Sequence, residues 1–123
     1  MKKLIIPGRL HNLNDMIAAE RTNRYKAAKM KREDMDNVLW AAKGCLRGWK
    51  AKGRVRMHYT WYEKDQRRDM DNVSSYGRKI IQDALVEGHY LHNDGWKDIA
   101  GFSDDFAVDK KVPRIEVEIE EEG

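Results

Sequence analysis

The sequence predicts an α+β domain: a small mixed β-sheet with two main helices packed on it, in the order β-α-β-α-β-β. Two patterns carry this. Apolar and polar residues alternate over Arg54–Tyr62 and again over Arg114–Glu120, the period of strands with one wet face. Over Asn23–Gly48 and Ser74–Glu87 the apolar residues instead recur at three- and four-residue steps, the period of amphipathic helices. With 123 residues the chain forms one domain, residues 1–123, able to bury a modest core. Charged residues make up 37% and mean hydropathy is −0.86, yet four Trp, five Tyr and many Ile, Leu and Val exclude a disordered polyelectrolyte.

In chain order, Leu4-Ile5-Ile6 is a short first strand stopped by Pro7-Gly8. Asn12 or Asn14 caps a short helix through Met16, Ile17 and Ala19. A long basic helix follows from Asn23, with Arg24, Lys26, Lys29, Lys31 and Arg32 on its first half and Gly48 or Gly53 at its end. Its apolar face includes Val38, Leu39, Ala42 and Cys45, so Cys45 is expected to be buried and inert. Asp34 and Asp36 diverge by about 200° on such a helix and are expected on a solvated face near its start.

In the second strand Val55, Met57, Tyr59 and Trp61 point inward as core. The chain is then expected to stay extended through Met70. A helix from about Ser74, capped by Ser74 or Ser75, buries Ile80, Ile81, Ala84 and Leu85 and closes at Gly88. An irregular apolar strand runs from Lys97 to Val108, with Lys110-Lys111 and Pro113 in the connection to the last one. Residues Glu120 to Gly123 form a solvated end.

Composition narrows the function. The net charge is +3 with pI about 9.0. Most Lys and Arg lie in the first 68 residues, whereas the last eight include five Glu. A basic surface of this kind suits a polyanion. The single Cys45 permits no internal disulfide and fits a reducing cytoplasm. The apolar start is too short for a signal peptide, and no run approaches the ~20 apolar residues of a membrane span.

The chemistry concentrates between Arg67 and Trp96. In an extended Arg68-Asp69-Met70-Asp71-Asn72, Asp69 and Asp71 share one side. Paired carboxylates repel unless a hard divalent cation relieves them, so they are candidate metal ligands. Lys79 and Asp83, four apart on a helix, form either a surface ion pair or part of the same site. The turn Asn93-Asp94-Gly95 returns Asp94 toward Asp71. His58, His89 and His92 lack zinc-type spacing and cysteine partners.

These residues resemble the signature of RusA-type Holliday junction resolvases, endodeoxyribonucleases often carried by phages and prophages. The likeness rests on Asp69 to Asn72, on Lys79-Ile80-Ile81-Gln82-Asp83-Ala84-Leu85 and on Asn93-Asp94. Ile6-Pro7-Gly8-Arg9 and the closing strand add to it. The resemblance implies a RusA-like fold and a homodimer that cuts two strands of a four-way DNA junction symmetrically, in recombination and repair. It also implies one or two Mg²⁺, with Mn²⁺ as a substitute, and no small-molecule cofactor. Asp69, Asp71 and Asp94 match the metal-binding carboxylates and Lys79 the essential lysine, with Asp83 four residues beyond it. The sequence departs from the family in two places. An insertion within Val73–Arg78 makes Arg78 a rival to Lys79, and Asn93 stands where the family has the first of two aspartates. Arg9, Arg24, Lys26, Lys29, Arg67 and Arg68 are candidate DNA-phosphate contacts. Two rivals remain: a metal nuclease for forks, flaps or plain duplex, and a non-catalytic basic DNA-binding or regulatory protein whose acid pair only caps a helix.

Overall fold

The structure, a computed structural model, describes residues 1–122, so Gly123 of the expected solvated end lies outside the described residues. The elements in order are β1 (Lys2–Pro7), α1 (Leu13–Thr22), α2 (Arg24–Cys45), β2 (Val55–Glu63), α3 (Met70–Glu87), β3 (Ile99–Val108) and β4 (Arg114–Glu121). The α+β class with a small mixed sheet is as expected. The short helix α1 stands as a third helix in its own right. Asn12 caps it, accepting from the Asp15 backbone N–H while Asp15 accepts from Asn12 N–H, so two orphan donors are satisfied reciprocally. Asn23 then breaks the helical run with an extended backbone and caps α2 through the Lys26 N–H.

The sheet order is β1-β4-β2-β3. β4 lies antiparallel to both β1 and β2, and β2 pairs parallel with β3. A parallel pair needs a crossover, and α3 supplies it. The registers align residues in rows across the sheet. Leu4, Val117, Tyr59 and Asp104 make one row, and Ile6, Ile115, Trp61 and Phe106 the next. These rows face the helices, and every inward residue of β2 is buried, as the alternation predicts. On the other face Lys3, His58, Thr60, Glu116 and Glu118 stay partly or fully exposed.

Helix α3 seats on β2 at one point of close approach. A Cβ on Gly77 would lie 2.6 Å from Cη2 and Cζ3 of the buried Trp61, so only glycine lets the helix backbone come this near. Ile80, Ile81, Ala84 and Leu85 are all buried, as expected.

Four expectations are corrected. The chain does not stay extended through Met70: β2 ends at Glu63 and α3 begins at Met70, a turn earlier than Ser74, whose hydroxyl instead donates to Met70 C=O. Cys45 is exposed at the last residue of α2, although Ala42 and Leu46 on either side of it are fully buried. Asp34 is buried, 2% exposed, in the middle of α2 rather than near its start; it accepts from the His11 ring Nδ1 at 3.0 Å and the Tyr76 hydroxyl at 2.7 Å. Gly88 has φ −79, and the left-handed residue is His89 at φ 65. The bonds Tyr90 N–H to Leu85 C=O and His89 N–H to Val86 C=O complete a Schellman cap with histidine in the glycine position.

Candidate active site

The acid pair forms at the start of α3. Asp69 is the N-cap residue, extended in backbone, but its side chain makes no capping bond. Asp71 lies in the first helical turn. Both are exposed, and neither enters an ion pair among the described residues. The positive end of the helix dipole favours carboxylates here. The shared strand face expected for the two acids is therefore not formed: Asp69 sits at the N-cap and Asp71 two residues on, inside the helix.

The surrounding loop is held rigidly. Arg68 spans Glu63 with two bonds of 2.8 and 2.9 Å and donates to Leu10 C=O at 2.9 Å. Arg9 approaches the same Glu63 at 3.6 Å. Arg68 thus binds the segment after β1 to the segment before α3. A cleft of about 300 Å³ opens beside it, lined by Glu63, Arg68, Asp69, Met70, Phe106 and Val108. It lies at the carboxyl ends of the parallel strands β2 and β3 and at the N-terminus of α3, where open α/β units bind ligands.

Lys79 stands eight residues after Asp71, about 12 Å along the helix and about 80° around it. Its ammonium is held by Asp83 at 3.0 Å and by Asp94 at 3.2 Å. Those two carboxylates, Asp83 first, keep its pKa above the ordinary lysine value, so it stays charged. Asp83 also takes Lys31 of α2 at 3.3 Å. The loop after α3 therefore returns Asp94 to Lys79. Among the described residues no three His, Cys, Asp or Glu side chains gather closely enough to hold a metal ion, so Asp69, Asp71 and Asp94 do not form one cluster.

On the side of α3 toward the β3 edge, Arg78 donates to Asp104 and lies 4.6 Å from the Phe102 ring centroid. Asp104 also accepts from the indole N–H of Trp61 at 2.9 Å. Sequence reasoning missed Asp104. The only signal was its place in the alternation of β3, where it occupies an inward position. Of the basic candidates, Arg68 lines the cleft with Asp69 and Arg9 reaches toward Glu63 on its wall, whereas Arg67 points to solvent. Arg24, Lys26 and Lys29 are exposed on the first turns of α2 and do not line the cleft. No described helix is long and apolar enough to cross a membrane.

Among known proteins, no curated protein matches the chain. A family model described as Endodeoxyribonuclease RusA matches residues 46–120, which contain β2, α3, β3 and β4.

Proposed function

The chain belongs to the RusA endodeoxyribonuclease family, and on that premise we propose that it is a Mg²⁺-dependent nuclease that resolves four-way DNA junctions by paired, symmetric strand cleavage. The observation that carries this is Asp69, uncapped, unpaired and lining a cleft within the matched stretch, with the unpaired Asp71 two residues on in the first turn of α3. A simple helix cap would spend its carboxylate on a backbone N–H, and Asp69 does not.

The donor set fits a hard cation. Mg²⁺ is commonly held by one or two carboxylates, with water and substrate phosphate completing the octahedron. Asp69 and Asp71 would be its ligands, while Asp94 stands apart from them and acts through Lys79. When bound, the metal supplies Lewis-acid polarisation of the phosphate and a more acidic water. The protein's own groups do the rest. The Glu63–Arg68 clamp fixes the loop from which Asp69 projects. Lys79, kept protonated by Asp83 and Asp94, offers a fixed positive charge to the negative charge that grows on the phosphate. Arg9 and Arg68 beside the cleft, and Arg67, Arg24, Lys26 and Lys29 on exposed surface, would meet the DNA backbone. Paired cuts need two sites, so the active form in this reading is a homodimer with junction DNA as its partner.

The test is cleavage of a synthetic four-way junction, beside a fork, a flap and a linear duplex, in Mg²⁺ and in EDTA. Paired symmetric nicks that require Mg²⁺ and spare the duplex are expected. Faster cutting of forks or flaps would change the substrate, and metal-independent binding without cutting would leave a DNA-binding protein.

A further inference from the structure

Asp104 occupies an unusual place. It ends the row Leu4–Val117–Tyr59, whose other three members are fully buried at 0% exposure. A carboxylate at the inward edge of such a row needs partners. It has two: one oxygen accepts from Trp61 Nε1 and the other from Arg78. Trp61 is itself pinned beneath Gly77 and stacked on Tyr59, with ring centroids 5.5 Å apart. Trp61, Asp104 and Arg78 thus form a line of support whose inner end cannot move and whose outer end is a cation.

That cation has spare capacity. Arginine carries five N–H donors in a planar fork. Arg78 gives one nitrogen to Asp104 and holds its Cζ 4.6 Å from the ring centroid of the half-exposed Phe102, and no other hydrogen bond holds it among the described residues. It follows Asp71 by seven residues, hence lies on nearly the same side of α3 and about 10 Å along it. Lys79 is the contrast, because its ammonium is already shared between two carboxylates.

We propose that Arg78 is a second phosphate-binding group, which takes a DNA phosphodiester within a few nucleotides of the one at Asp69 and Asp71. In the same proposal Asp104 and Trp61 are positioning residues that aim its free edge. The location relative to the cut rests on the nuclease reading above; the phosphate contact itself does not. A guanidinium fork meets two phosphate oxygens at once, which a lysine cannot do.

The experiment measures junction-DNA affinity against salt without metal, and single-turnover cleavage with Mg²⁺, for wild type, Arg78→Gln, Arg78→Lys, Asp104→Asn and the Arg78→Gln/Asp104→Asn pair. Loss of one phosphate contact lowers the slope of log K against log salt by about 0.7–0.9. Arg78→Gln should show that fall. Arg78→Lys, which keeps the ion pair to Asp104 and guards against misfolding, should keep the slope but bind more weakly. Asp104→Asn should weaken binding alone and add nothing in the Arg78→Gln background, since it acts through Arg78. The Trp61 indole N–H resonance should shift on DNA addition in wild type and stay put in Arg78→Gln. An unchanged slope in Arg78→Gln overturns the phosphate contact, and equal Asp104→Asn losses in both backgrounds overturn the positioning role. Wild type that binds junctions without cutting refutes the nuclease reading and leaves the slope to decide Arg78. Cutting with an unchanged slope refutes this inference alone, and no DNA binding refutes both.

Discussion

Replacing Gly77 by alanine tests how closely α3 rides on the sheet. The new methyl would lie 2.6 Å from two carbons of Trp61. Favourable carbon contacts begin near ~3.5 Å, so helix and ring must separate by about 1 Å. Neither yields easily: Trp61 is 1% exposed, stacked on Tyr59 and bonded to Asp104. Overpacking of this kind costs about 1–3 kcal/mol. Alanine recovers up to about 1 kcal/mol in intrinsic helix propensity. With the overpacking near its upper end, the net loss is about 1–2 kcal/mol, or roughly 4–8 °C in Tm for a domain of this size. Gly44 is the control, because it lies in α2 with nothing within 4 Å of an added Cβ. Gly44→Ala should therefore stabilise, by at most about 1 kcal/mol. Urea denaturation of both variants, with m checked for constancy, reads the difference. Gly77→Ala should also slow junction cleavage more than Gly44→Ala, since the displaced indole carries Asp104. If Gly77→Ala stabilises as much as Gly44→Ala does, Gly77 is not what sets the helix-to-sheet distance.

Asp71→Asn should abolish Mg²⁺-dependent cleavage while junction binding persists, with stability falling by no more than the ~0.3–1 kcal/mol of a first-turn acid; loss of binding as well, by gel shift, would contradict a purely catalytic role. His89→Gly should raise stability by up to about 1 kcal/mol, because the left-handed position strains any residue with a Cβ; a fall in Tm would show that the histidine side chain matters there. Glu116 has its pKa lowered by hydrogen bonds from Lys3, the larger cause, and from Arg114. A carboxyl lowered on folding contributes its full stability at neutral pH and loses it as pH falls through the folded-state pKa. Glu116→Gln should accordingly cost stability at pH 7 and flatten the acid limb of a Tm-against-pH curve, and an unchanged limb would refute the assignment.

The strands were legible where one face is wet, since the two-residue period of Val55, Met57, Tyr59 and Trp61 admits only one register to the core. The Lys79–Asp83 spacing was likewise legible, but the turn at Asn93-Asp94-Gly95 brings Asp94 to Lys79 and not to Asp71, the partner its position suggested. The start of α3 was not. Ser74 and Ser75 are good caps by type, but the chain turns helical behind Asp69, whose side chain leaves no local bond to betray it. Asp34 shows a different failure. It shares the letters Asp-Met-Asp-Asn with Asp69 to Asn72, and its burial depends on His11 and Tyr76, which are 23 and 42 residues away. Such long-range partners leave no trace in periodicity. The same holds for Asp104, whose meaning comes from Trp61 on the neighbouring strand, 43 residues away.

The strand order has a consequence for how the molecule is made. Of the described strands of this sheet β1 leaves the ribosome first, yet among them it pairs only with β4, the last of the four to be synthesised. During translation Leu4 and Ile6 have no sheet to join, while β2, α3 and β3 can assemble among themselves as each emerges. The edge of the sheet is therefore closed last, by a segment that has waited throughout synthesis for its complement.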